Sequence, residues 1–330
     1  EAEEEAGWRK LAEIPLQAVP STVSFPPVLA RRFRLSLVRK TPPIPSNFLP
    51  AEGSVITPAS VLGPPKKTIK LTQFHLSAQA RVNAFEAKAG FALTDDYYAL
   101  DGATGDNTAG VAPAAVIDLS SKLLPDGSLE WTPPAGAWRV LRLGYSLTGK
   151  TNHPATAEAT GLEVDKFDGA AVQRYIDHYF ATYAEAIGAD AFGARGIKAV
   201  LTDSIEVGAS NWTPQLMAQF RRLRGYDPMP WLPALTGVIV GDRARSDRFL
   251  YDYRRTLAEL IASQHYGQIA ASARARGIAY YSEAHERGRS SIGDDMAMRE
   301  PADIPMAALW TSPRGTQTLP SYIADMKGAS

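Results

Sequence analysis

Two short apolar runs constrain this chain more than any other feature. Ile197-Lys198-Ala199-Val200-Leu201-Thr202 and Ile278-Ala279-Tyr280-Tyr281 are too short for helices, and both are flanked by stretches of helical periodicity. Ahead of the first, Val172, Ile176, Tyr179, Phe180, Tyr183 and Ile187 recur at helical spacing and predict a helix over 168–188. Between the two, Pro214 to Arg224 reads as a helix capped by Thr213, with proline at its first position. Ser246 is placed to cap a long helix carrying Phe249, Tyr253, Leu257, Leu260 and Ile261. Ala307-Ala308-Leu309-Trp310 is a third candidate strand. Strands alternating with helices make βαβ units and a parallel sheet. The fold class expected is therefore α/β, with 151–330 forming part of a (β/α)8 TIM-type barrel, since the strands are too few to close one.

Residues 1–150 follow a different grammar. Phe33-Arg34-Leu35-Ser36-Leu37-Val38, Thr68–Thr72 and Phe74–Val82 alternate with period two. Trp138-Arg139-Val140-Leu141-Arg142-Leu143-Gly144-Tyr145 is the strongest strand of the set. Pro42-Pro43, Pro64-Pro65 and Pro133-Pro134 mark loops, and Asp126-Gly127 marks a tight turn. A β-rich, sandwich-like region is expected here, an insertion or accessory module beside the barrel.

Charge and composition remove several function classes. Lys plus Arg is 35 and Asp plus Glu is 35, so there is no basic excess to hold nucleic acid. Cysteine is absent, which excludes disulfides, zinc–thiolate sites and cysteine nucleophiles. No apolar run reaches the length of about 18 residues that a membrane span needs, so no membrane partner is expected. The acidic start Glu1-Ala2-Glu3-Glu4-Glu5 is no signal peptide and reads as the end of a helix, while Ser321–Lys327 reads as a helix just begun. Both point to a piece of a longer protein. Gly102-Ala103-Thr104-Gly105-Asp106 lacks the spacing and the lysine of a phosphate loop, and no Gly-x-Ser-x-Gly elbow occurs.

Acids gather where the two strands end. The first runs into Asp203-Ser204-Ile205-Glu206 and the second into Ser282-Glu283-Ala284-His285-Glu286. In a (β/α) barrel, chemistry gathers at C-terminal strand ends. Carboxylates from separate strands are what glycoside hydrolysis requires, one protonating the leaving oxygen and another activating water or attacking carbon. Trp212 and Trp310 lie close by in sequence and offer faces on which sugar rings stack. Asp203 stands open between a catalytic role and a cap on the following turn. Glu206 favours function, because two acids so close in sequence seldom both serve as caps. Glu283 and His285 stay open between structure and function. Glu286, Arg287 and Arg289 read as a solvated charge run, and His75, His178 and His265 as structural. No spaced His/Glu set supports a transition metal, whereas an oxygen-ligated calcium needs no fixed spacing.

The series Leu201-Thr202-Asp203-Ser204-Ile205-Glu206-Val207, Asn211-Trp212-Thr213-Pro214 and Phe220–Asp227 with Trp231–Leu235 resembles the α-L-rhamnosidases of glycoside hydrolase family 106. Pro134–Val140 with Thr148-Gly149, Gly161–Phe167, Asp252–Leu257, Glu283-Ala284-His285 and Ala302–Met306 agree, so the likeness runs over roughly 80–310. The resemblance implies a (β/α)8 barrel with β-rich additions. It implies inverting hydrolysis of terminal α-L-rhamnosides, calcium as a sugar-holding cofactor, and export to the periplasm or beyond. The partner implied is a rhamnose-containing glycoside or polysaccharide; the oligomeric state is unspecified. On this reading Glu206 is the general acid with Asp203 beside it; Glu283 is a third catalytic candidate, at a position where the family often carries a different polar residue. The substrate-binding residues are Asn152, Trp212, His285 and Trp310; the metal ligands are unassigned.

Two departures from the family pattern matter. After Asp303-Ile304-Pro305 the family carries a glutamate, where this chain has Met306-Ala307-Ala308-Leu309. A further family glutamate belongs to a later strand, beyond Ser330. The family's first barrel strands would likewise lie before Glu1. The alternative function is therefore a non-catalytic carbohydrate-binding relative that lacks the full carboxylate set.

Overall fold

The computed structural model describes residues 1–15, 19–38, 68–94, 96–100, 110–152, 155–188, 190–285, 291–308 and 326–330. Outside them lie Pro42-Pro43, Pro64-Pro65, Gly102–Asp106, the Glu286–Arg289 run, Leu309, Trp310 and 321–325.

The α/β grammar of the second half is realised in a three-stranded parallel sheet whose strands lie side by side in chain order. Strand β3 spans Ala199–Thr202, β4 Ala279–Ser282 and β5 Ile304–Pro305. The register pairs Thr202 with Ser282 and Ser282 with Pro305, so all three strands end at one level. Two antiparallel strands, β1 (Ala2–Glu4) and β2 (Gly7–Arg9), form a separate hairpin.

Helices build the core around the parallel sheet. The short helix α1 spans Phe85–Lys88, α2 Gly169–Ile187 and α3 Leu216–Arg224. A long helical rod follows: α4 (Arg243–Leu260), a π-helical turn (Ile261–Tyr266) and α5 (Gly267–Ala275). Helix α6 spans Asp295–Arg299. Val172, Ile176 and Phe180 of α2 pack with Phe220, Phe249, Tyr253, Leu257, Tyr266 and Ile269 in one buried cluster with Tyr280 of β4. That is the i, i+3, i+4 face of each helix turned to a common core. Val82 and Ala89 join the same cluster. Around them, Lys88 Nζ pairs with Asp247 at 2.7 Å and the buried Arg254 donates to the carbonyl of Ala87 at 3.0 Å, which fastens α1 to α4.

The helix predicted over 168–188 is present, because Asp168 caps it, accepting from Ala170 N at 2.9 Å. Two other starts differ. Helix α3 begins at Leu216, without a side-chain cap, and the Thr213 hydroxyl is turned to Asp165, to which it donates at 2.8 Å. Helix α4 is capped by Asp242, which accepts from Arg245 N at 2.8 Å. Ser246 sits buried one turn later, its hydroxyl bound to the backbone of Val240. The third strand falls at Ile304–Pro305, ahead of Ala307.

The sandwich-like sheet expected in the first half is not formed among the described residues. Segments 33–38, 68–82 and 138–145 carry no ladder, apart from an isolated bridge between Ala2 and Phe33. Side chains on both faces of 138–145 are exposed, Val140, Leu141, Leu143 and Tyr145 among them. Period-two alternation requires a neighbouring strand to become a sheet, and no described segment supplies one. The Asp126-Gly127 turn is as read: Asp126 Oδ1 accepts from Ser128 N at 2.9 Å and Gly127 takes φ 85°.

Candidate active site

The backbone brings the exit segments of β3 and β4 side by side. Glu283 N donates to Thr202 O at 3.1 Å, and Ile205 N donates to Ala284 O at 2.9 Å. Asp203 and Glu283 therefore stand one residue past a paired register position, on strands separated by about 4.8 Å. The segment after β5 reaches the same edge, with Met306 N donating to Ser282 O at 2.7 Å. Below this rim the Thr202 hydroxyl lies 2.8 Å from the Tyr280 hydroxyl and 3.0 Å from Ser282 Oγ, a polar floor under the acids.

The two acids after β3 are exposed and held locally. Asp203 Oδ1 accepts from Ser204 N at 2.8 Å, and Ser204 Oγ donates to Glu206 Oε1 at 3.1 Å. One serine thus links both carboxylates of the Asp-Ser-x-Glu motif and limits their rotamers. Glu283 and His285 are half-buried at the neighbouring strand end. Of the residues singled out in sequence, the structure brings Asp203, Glu206, Glu283 and His285 to one edge.

Trp212 lies further along the exit loop of β3. Its ring stacks on Tyr145, with centroids 5.9 Å apart and planes at 28°. Its loop is pinned by Tyr253 Oη donating to Asn211 O at 2.6 Å and by Asn211 Nδ2 donating to Ala89 O at 2.9 Å. The indole N–H is buried without a partner. Tyr145 is exposed and was not singled out in sequence; its place at the end of the strongest alternating run was the only signal. Asn152 is occupied by the chain itself: Oδ1 accepts from Gly161 N at 2.8 Å and Nδ2 donates to Ala159 O at 3.1 Å. Trp310 lies outside the described residues.

The donor set for calcium is thin. Among the described residues no three His, Asp or Glu side chains gather closely enough to hold a metal ion. Asp165, near the site, already accepts from Thr213 Oγ1 and from Phe167 N.

A family model described as alpha-L-rhamnosidase matches residues 21–330. This chain belongs to the α-L-rhamnosidase family. A rhamnosidase of known structure from Novosphingobium sp. PP1Y is 61% identical, superposes with a TM-score of 0.73, and is matched over 78% of this chain and 25% of its own. A protein of Formosa agariphila, provisionally named a beta-glucuronidase, is 35% identical over 218 residues, 65% of this chain and 18% of its own length. This member of the family thus spans about a quarter of the one relative and under a fifth of the other. Within it, the Asp203–Glu206 motif and the Glu283–His285 turn sit at adjacent parallel strand ends.

Proposed function

We propose that this chain is the acid-bearing part of a glycosidase that hydrolyses terminal α-L-rhamnosides with inversion. The observation that carries the reading is the level register of β3 and β4, which delivers Asp203, Glu206 and Glu283 to one edge. The family membership and the 61% identity to a rhamnosidase favour a rhamnoside over the glucuronide that the more distant relative's name suggests. The three parallel strands fit a part of a (β/α)8 barrel, whose exit loops share one face. Rhamnose-containing glycosides or polysaccharides are the substrates, and export to the periplasm or beyond goes with them by resemblance.

In the reaction the Glu206 carboxylic acid gives its proton to the glycosidic oxygen as the C–O bond breaks. Water adds to the anomeric carbon from the opposite face and loses its proton to a second carboxylate, about 6.5–9.5 Å from the first. Asp203, tied to Glu206 through Ser204, orients the acid. Glu283 faces the sugar from the next strand, and the Trp212–Tyr145 stack offers an aromatic platform for a ring. The segment after β5 supplies no carboxylate, being Met306-Ala307-Ala308. That favours a second reading of this chain taken alone, a rhamnoside-binding body without the base.

The test is release of nitrophenol from an aryl α-L-rhamnoside by the longer protein containing this chain. Glu206→Gln should lower kcat by about 10²–10⁴-fold. Near-native turnover in that variant would remove Glu206 from the role of acid.

A further inference from the structure

The exit turn of β4 is held far more tightly than a loop that only joins two elements. Ala284 is fully buried and has φ 60°, a left-handed conformation that an alanine adopts only when its surroundings impose it. Each carbonyl of the turn has a partner. Glu283 O accepts from His285 N at 2.7 Å and from Arg299 Nε at 3.1 Å. Ala284 O accepts from Ile205 N at 2.9 Å and from the Tyr266 hydroxyl at 2.9 Å. His285 O accepts from Arg299 Nη2 at 2.6 Å.

The two side-chain donors come from elements outside the exit loops. Tyr266 ends the π-helical turn Ile261–Tyr266, whose wider winding re-aims the residues that follow relative to an uninterrupted α-helix. Arg299, at 2% exposure, ends α6 and also faces Asp295 at 3.3 Å. A wide turn in a long helix, a buried guanidinium and a left-handed alanine converge on three residues.

We propose that Tyr266 and Arg299 are positioning residues: together they hold Ala284 left-handed and so fix the direction in which Glu283 and His285 leave β4. Through the Ile205–Ala284 bond the same clamp sets the height of the Asp203–Glu206 segment. The inference rests on the proposed function for its effect on catalysis, but not for the clamp itself.

The experiment uses the longer protein and the aryl rhamnoside. Tyr266→Phe keeps the ring and removes one donor; kcat should fall between about tenfold and a hundredfold, as for a displacement of about 1 Å, with KM little changed. Glycine occupies the left-handed region without strain, so adding Ala284→Gly should restore most of the lost kcat. Arg299→Lys, whose ammonium lacks the planar fork that reaches Glu283 O through Nε and His285 O through Nη2, should lower kcat similarly. A purely structural Tyr266 would lower the melting temperature and leave kcat alone, and that result overturns the proposal. Amide exchange at Ile205 and His285 needs no substrate: it should quicken in Tyr266→Phe and recover in the double variant. Unchanged exchange overturns the clamp whatever the activity. Altered, rescued exchange in a protein with no rhamnoside turnover supports the clamp and overturns the function instead.

Discussion

Single residues in this chain are set by partners far away in sequence, and His265 shows the consequence. Burial, with the Lys166 ammonium nearby, holds its imidazole well below the usual histidine value, and its Nδ1 is buried without a partner. The folded protein therefore keeps His265 neutral where an unfolded chain takes up a proton, from about pH 6.5 downward. More protons on the unfolded side means stability falls as pH drops below that value and is fully present above it. Urea midpoints at about pH 7.5 and pH 5.5 should differ for the native protein, and the difference should shrink in His265→Gln. An identical pH dependence in both proteins would show that the histidine is not the group responsible. In sequence this residue read as structural, from its isolation alone. What could not be read was the π-helical turn that carries it, because helical periodicity does not register one extra residue in a turn.

At the scale of elements, legibility followed the range of the deciding contact. Helix α2 was legible almost to the residue, since its cap, its apolar stripe and the left-handed Gly188 after it are all local. Asp168→Ala should therefore cost about 1 kcal/mol, read as a lowered urea midpoint with an unchanged m-value, by loss of the bonds to Ala170 N and Ala171 N. A midpoint equal to that of the native protein would remove the cap from the account. The start of α3 was misread because Thr213 turns its hydroxyl to Asp165, which only the folded chain brings near; that of α4 was misread although its cap, Asp242, is as local as Asp168. Alternation over 138–145 is a pattern that finds no ladder among the described residues, because a strand is defined by its neighbour. The acids at the ends of β3 and β4 were legible for the opposite reason. A short apolar run feeding directly into acids states both the strand and its exit.

For the whole molecule, the same sheet that assembles the site also leaves it open. Among the described residues β4 alone is paired on both sides, while Leu201 on β3 is 54% exposed and Ile304 on β5 44%. Unpaired edges carrying apolar side chains invite association with further copies, so the 330-residue chain expressed alone should self-associate in light scattering. Its chemistry should be deficient as well. Glu206 can donate a proton, but inversion also needs a carboxylate to take one from water, and directly after β5 come Met306-Ala307-Ala308, with none. General-base assistance is worth about 10²–10⁴-fold. The isolated chain should therefore release nitrophenol from an aryl α-L-rhamnoside at least about a hundredfold more slowly than the longer protein, at matched site concentration and with light scattering used to select the unaggregated fraction. If that fraction turns over within about tenfold of the longer protein, the base already lies among these residues. Glu283, the acid on the strand next to Glu206, would then be the one to replace first.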